Sequence, residues 1–159
     1  MIRVAILTVS DSAFEGTRKD LSGPALRKRC QELGWPVTET SITPDSVTQI
    51  AHQLSEWADK ESATLILTTG GTGVSARDNT PEATRAVIDR ELPGIGELMR
   101  SKGLEQTSFS VLSRGLAGTR KRALIVNLPG SPKGALYSLG VIEGLAQHVI
   151  KLLTGETEH

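Results

Sequence analysis

The stretch 67-LTTGGTGVSARDNTPEAT-84 decides how the chain is read. It begins inside the apolar run Thr64–Thr69, which has the composition of a buried strand. It passes through Gly70, Gly71, Thr72 and Gly73. It ends at Thr80-Pro81, where threonine as N-cap and proline in the first turn predict a helix start. Such a glycine loop can present several backbone N–H groups with no Cβ in the way, which is how phosphate oxygens are cradled.

Working outward, the same strand–loop–helix rhythm recurs. Arg3–Val9 is a β-branched run that stops at Ser10-Asp11, and the run 22-SGPALRKRCQELG-34 predicts a helix with Pro24 near its start and Gly34 at its end. Val37–Ile42 alternates with polar residues and suits a strand near a sheet edge. Pro44-Asp45-Ser46 then opens a helix in which Val47, Ile50, Ala51, Leu54, Trp57 and Ala58 recur at helical spacing, with Ser46 and Gln49 as a capping box. Ala123–Leu128 is a further strand, and Ser131-Pro132 starts a long helix ending near Thr154-Gly155. Between Leu92 and Gly118, "GIGELMRSKG" reads as a short helix and "SFSVLSRGLAG" as a strand followed by a loop. Alternating strands and helices predict an α/β fold, a mostly parallel sheet covered on both faces. With no repeat or low-complexity linker, residues 1–159 are expected to form a single domain.

Composition narrows the function. Eighteen basic and eighteen acidic residues among 159 cancel, so neither nucleic acid nor an anionic membrane surface is an expected partner. The apolar runs are too short to span a bilayer. One cysteine, Cys30, excludes an internal disulfide and suits a reducing cytoplasm. His52 and His148 fall in helical patterns and His159 ends the chain, so no zinc-type spacing exists. Ser10, Ser12 and Ser131 have no His-Asp arrangement near them in sequence, which leaves hydrolase chemistry unsupported.

In a parallel open sheet the carboxyl ends of the strands share one edge, where ligands bind. Here those ends carry Ser10-Asp11-Ser12, Thr43-Pro44-Asp45, the glycine loop, and 127-NLPGSPKG-134. The last is a second candidate anion loop ahead of a helix N-terminus, with Pro129, Gly130 and Ser131 at its centre and Lys133 as either an added charge or a solvated residue. No Gly-Lys-Ser/Thr follows the glycines, so this is not a P-loop. Gly71, Gly73 and Ala76 fit a dinucleotide pattern, but the helix starts too late for it. Asp45 and Asp78 each follow a different strand. Two carboxylates at a phosphate site suit Mg²⁺, which takes oxygen ligands and keeps waters. Asp45 reads equally as a helix N-cap, and Asp78 also as an Asx-turn residue. Asp11 and Asp20 are weaker candidates of the same kind.

"TVSD", "DLSG", "TTGGTG", "RDNTPEAT", "LSR" and "NLPGSPKG" occur in this order. With them the chain resembles the molybdopterin adenylyltransferases of molybdenum-cofactor biosynthesis, of the Mog and MoaB type, over nearly its whole length. The resemblance implies a three-layer α/β/α molybdopterin-binding fold, commonly trimeric. It implies Mg²⁺-dependent transfer of AMP from ATP to the terminal phosphate of molybdopterin, with pyrophosphate released. The family's two essential aspartates match Asp45 and Asp78, and its active-site serine matches Ser113. Ser10 and Asp11 would also face the site, beside Gly70–Gly73 and Pro129–Ser131. A downstream molybdate-insertion enzyme is an implied partner. The competing readings are a non-catalytic molybdopterin carrier or scaffold of the same fold, and a nucleotidyltransferase acting on another phosphorylated acceptor.

Overall fold

A computed structural model describes residues 1–156. Its strands are β1 (Val4–Val9), β2 (Val37–Thr43), β3 (Leu65–Thr69), β4 (Arg90–Glu91), β5 (Ala117–Arg120) and β6 (Ala123–Leu128). Its helices are α1 (Asp11–Glu15), α2 (Ser22–Glu32), α3 (Val47–Asp59), α4 (Thr80–Val87), α5 (Pro93–Gly103) and α6 (Pro132–Thr154). The strands form one sheet in the order β2-β1-β3-β6-β5-β4. The first four run parallel, while β5 and β4 are antiparallel additions.

The period-2 geometry of the central strands sorts their apolar side chains to two faces. Val4 and Ile6 of β1, Leu65 and Leu67 of β3, and Leu124, Val126 and Leu128 of β6 pack with α2, α5 and α6. Ala5, Leu7, Val9, Ile66, Ala123 and Ile125 pack with α3 and α4. Burial on both faces is why β1, β3 and β6 read as unbroken apolar runs. The result is the expected three-layer α/β/α architecture. β2, with mostly exposed or half-exposed side chains, occupies an edge as its polar alternation predicted.

Local signals explain the helix ends. Ser46 accepts from the Gln49 N–H and starts α3, whose buried stripe is Ile50, Leu54, Trp57 and Ala58. Ser131 accepts from the Gly134 N–H at 3.1 Å to start α6, which ends at Gly155 with φ +77°. Two expectations are corrected. Ser108–Leu112 is a 3₁₀ turn, not a strand, and the strand of that region is β5 further on. Phe109, Val111 and Leu112 are all more than half exposed, so no sheet neighbour rewards an extended form there. Thr80 is not the N-cap of α4 either; Asn79 occupies that position, and Thr80 is buried inside the first turn. The short helix α1 carried no periodic signal strong enough to be read.

Candidate functional site

β1 is flanked by β2 on one side and β3 on the other, although β2 and β3 follow it in sequence. Chain connections therefore leave β1 and β3 toward opposite faces, and the gap beyond their carboxyl ends is where such sheets bind ligands. A cleft of about 420 Å³ opens there. It is lined by Thr8, Val9 and Ser10 from β1 and its end, Thr69 and Gly70 from β3, and Gly130, Ser131 and Pro132 ahead of α6. The Arg18–Ser22 segment closes its far wall.

The glycine loop is held in an uncommon backbone shape. Gly70 and Gly71 have φ of +102° and +68°, a region that L side chains disfavour. A Cβ at Gly70 would collide with the Val9 carbonyl, and one at Gly71 with the Thr80 hydroxyl and, at 2.7 Å, with Asp45 Oδ2. Thr80 donates its hydroxyl to the Gly70 carbonyl at 2.8 Å and its N–H to the Gly71 carbonyl at 3.1 Å. The two predicted anion loops touch: Thr69 Oγ1 donates to the Pro129 carbonyl at 2.7 Å, and the Gly70 N–H donates to the Leu128 carbonyl. Among the described residues, no protein acceptor takes the N–H groups of Gly71, Thr72 or Gly73, so they are available to a bound anion. Gly73 differs from Gly70 and Gly71. Its φ is not in the left-handed region; a Cβ there would instead press on Asp78 Oδ2 at 2.8 Å.

The carboxylates stand against this loop rather than in the cleft wall. Asp45 is only 5% exposed. Its Oδ1 accepts the Asn79 N–H at 2.9 Å, and its own N–H donates to Asp11 Oδ1 at 2.9 Å. Asp11 in turn receives a bidentate pair from Arg77 at 2.8 and 3.0 Å. Asp78 Oδ2 accepts the Ser75 N–H at 2.9 Å, a bond back to a residue three positions earlier and not the forward Asx-turn expected for it, because the Thr80 N–H is taken by the Gly71 carbonyl. The electrostatics separate the neighbours. Burial pushes the Asp45 carboxyl above its ordinary value; the Asn79 N–H offsets part of this, and the charges of Asp78 and Asp11 add to it. Arg77, then the Asp45 N–H, holds Asp11 below its ordinary value. The N-cap role open to Asp45 belongs to Ser46.

The fit to Mg²⁺ can be judged from these donors. Asp45 Oδ2 and Asp78 Oδ1 accept no hydrogen bond from the protein among the described residues. They are hard oxygen donors beside a buried, crowded negative charge that a cation would relieve. No group of three or more His, Cys, Asp or Glu side chains at metal spacing exists among the described residues. A two-carboxylate site completed by water and phosphate oxygens is the kind Mg²⁺ accepts, so the residues fit.

The predicted residues thus form two adjoining groups. Ser10, Gly70, Gly130 and Ser131 line the cleft, while Asp11, Asp45, Asp78, Gly71, Thr72 and Gly73 lie along the loop on the side of α3 and α4. Ser113 belongs to neither. It ends the 3₁₀ turn, its Oγ accepts the Gly115 N–H at 3.3 Å, and it borders a much smaller void with Arg100, Asn127 and Pro129. Lys133 is exposed and does not line the cleft. Asp20, a weaker candidate in sequence, accepts from Thr8 Oγ1 and from the Gly23 N–H and forms part of the cleft wall. Several contributors escaped sequence reading. Arg18 and Lys19 stand in that same wall, and their adjacency as a basic pair was the only signal for it. Asn127 joins Thr68, Thr84 and the Leu116 N–H in a buried network. Arg114 grips the glycine loop from outside. Cys30 is fully buried and its thiol is pushed up to about 11 by burial, which makes it inert.

Fold and site together define an α/β protein with a glycine loop of unpaired N–H groups at its switch point and the Asp45 and Asp78 carboxylates against that loop. The profile described as a probable molybdopterin binding domain matches residues 5–147, and the chain belongs to that family. A molybdopterin adenylyltransferase of Escherichia coli K12 is 41% identical over 151 residues, covering 94% of this chain and 77% of that protein. The molybdenum cofactor synthesis protein cinnamon of Drosophila melanogaster is 39% identical over 156 residues; 96% of this chain corresponds to 26% of that much longer protein. Among solved structures, a molybdopterin biosynthesis enzyme MoaB from Thermus thermophilus superposes with a TM-score of 0.91 at 50% identity, over 98% of each chain.

Proposed function

We propose that the chain is a molybdopterin adenylyltransferase, moving AMP from ATP onto the terminal phosphate of molybdopterin. Relatives named for that activity support the reading. The observation that carries it is the Gly70–Gly73 loop: among the described residues the N–H groups of Gly71, Thr72 and Gly73 meet no protein acceptor, the cleft opens at Gly70, and the Asp45 and Asp78 carboxylates stand against Gly71 and Gly73. In the reaction an oxygen of the molybdopterin phosphate bonds to the α-phosphorus of ATP. The bond from that phosphorus to its bridging oxygen breaks, and pyrophosphate leaves with the electron pair. The nucleophile is already anionic, so no general base is needed, and no histidine among the described residues lines the cleft to serve as one.

The chain's own contribution is positioning and charge balance. The N–H groups of Gly71, Thr72 and Gly73 hold phosphate oxygens, and the N-terminal end of α6 at Ser131 favours the same anions. Thr80 and Arg114 keep the loop rigid, and Arg77 orients Asp11. Asp45 and Asp78 would hold Mg²⁺, which when bound neutralises negative charge at the phosphates. Ser113 borders a separate small void, and its catalytic role rests on the family resemblance alone. Trp35 and Trp57 are buried, so the pterin is received by the cleft's polar and aliphatic surface, including exposed Leu21. The active unit is a homotrimer formed by residues 1–159 as one domain, working in the cytoplasm ahead of a molybdate-insertion enzyme.

The deciding experiment incubates the chain with ATP, Mg²⁺ and molybdopterin and follows pyrophosphate and product mass. Adenylylated molybdopterin is the expected product. Tight molybdopterin binding without product would establish the carrier reading instead, and turnover on an unrelated phosphorylated acceptor alone would redirect the substrate assignment.

A further inference from the structure

The contacts of one exposed residue straddle the loop that carries Asp78. The Arg114 N–H donates to the Thr72 carbonyl at 2.8 Å. Its guanidinium donates from Nε to the Gly73 carbonyl at 2.7 Å and from Nη2 to the Asp78 carbonyl at 2.8 Å. Its Nη1 pairs with Glu82 on α4. The residues between these anchor points, Val74–Arg77, are exposed. Within the loop, the Ser75 N–H meets Asp78 Oδ2 at 2.9 Å and the Asp78 N–H meets the Ser75 carbonyl at 3.0 Å. Neither apolar core reaches this segment. On its other side the only strap is Arg77 to Asp11 among the described residues.

The geometry points to Arg114 as a positioning residue for adenylyl transfer, acting through Asp78. This rests on the reading given above. A guanidinium is a planar fork that can satisfy two carbonyls and a carboxylate at once; an ammonium cannot match that pattern. All three guanidinium nitrogens already meet protein acceptors, and Arg114 does not line the cleft. Both facts favour holding the loop over touching substrate. Its side chain is 38% exposed and its partner Glu82 46%, so the ion pair adds little to global stability. Removing the fork should therefore loosen one loop without unfolding the protein. The Asp78 carboxylate, fixed to Ser75 within that loop, then drifts from its place beside Gly73.

Arg114→Lys and Arg114→Gln test this, with Arg85→Gln as a control that breaks an exposed pair with Glu91 elsewhere on α4. Residue-resolved amide exchange at Ser75 and Asp78, melting temperature, kcat and the KM values for both substrates are compared. In both Arg114 variants, amide exchange at Ser75 and Asp78 should speed up severalfold. Melting temperature should move by no more than a few degrees and KM for molybdopterin should hold, while kcat falls roughly a hundredfold, as misplacement of a reacting group by an ångström can do. Arg85→Gln should match the wild type throughout. Lost kcat with unchanged exchange would overturn the proposal in favour of direct substrate contact. A collapse of melting temperature, or full activity in Arg114→Lys, would also overturn it. If the wild-type chain makes no adenylylated product, the functional reading falls, yet amide exchange alone still decides whether Arg114 holds the loop.

Discussion

Asp45 and Asp11 are bonded neighbours whose carboxyl groups are pushed in opposite directions. Burial raises the folded-state pKa of Asp45 above its ordinary 3.8, so the folded protein binds this proton more readily than the unfolded chain does. The stability deficit is fully present above the folded pKa and disappears as pH falls below the unfolded value. Asp45→Asn keeps the acceptor for the Asn79 N–H and removes the buried charge. In Mg²⁺-free buffer at pH 7 it should raise the melting temperature by a few degrees, since about 1 kcal/mol is worth ~2–4 °C in a chain of this size. The gain should shrink as the buffer approaches pH 4. Mg²⁺ should stabilise the wild type and not this variant. Asp11 behaves oppositely: Arg77 lowers its pKa, and its contribution is lost as pH falls through that lowered value. At Asp78 an asparagine preserves an acceptor for the Ser75 N–H, so stability should hold. If the carboxylate serves the transferring phosphate, Asp78→Asn should slow adenylylation roughly a hundredfold with molybdopterin affinity retained; a near-normal rate would sink that role. The aspartates were legible in sequence because each follows a strand end. Which oxygen faces which N–H was not, because Asp45 and its partner Asn79 are brought together across 34 positions.

At the scale of elements, the glycine loop and α4 behave as one unit. The Thr80 hydroxyl is buried against the Gly70 carbonyl, and Thr84 donates its own to the Thr80 carbonyl. Thr80→Val deletes a donor and strands a buried acceptor, at a cost of about 1–3 kcal/mol. A lower urea midpoint and weaker ATP binding are expected, and Thr80→Ser should restore both. Full ATP affinity in a folded Thr80→Val protein would separate the loop's shape from nucleotide binding. Proline at 81 marked the helix start in the sequence. The threonine before it looked like a cap because capping and buried bonding use the same hydroxyl; only packing distinguishes them. The 3₁₀ turn at Ser108–Leu112 misled for a related reason. A run of Phe, Val and Leu has strand propensity, but propensity yields where no neighbouring strand is available to pair.

At the scale of the whole molecule, the exposed side of α6 carries Gly140 and Gly144, and a Cβ built at either meets nothing within 4 Å. These glycines are therefore not needed for packing inside the chain, and they leave exposed backbone that another copy can approach closely. Phe109, Val111 and Leu112 add apolar surface in the 3₁₀ turn. Light scattering at micromolar concentration should give a trimer mass. A pure monomer would reject that assembly.

The alternation of strands and helices, the buried parallel centre, and the strand ends that carry the glycines and aspartates could all be read from residue order. Those features are written in local periodicity and in residues whose backbone needs are specific. Tertiary structure alone decided that β1 and β3 flank the switch point, that the cleft lies on one side of the glycine loop and the carboxylates on the other, and that Ser113 stands apart from both. It also decided that Arg114 spans from Thr72 to Glu82. Such pairings depend on strand order and on side chains meeting across tens of residues, and no local pattern encodes either.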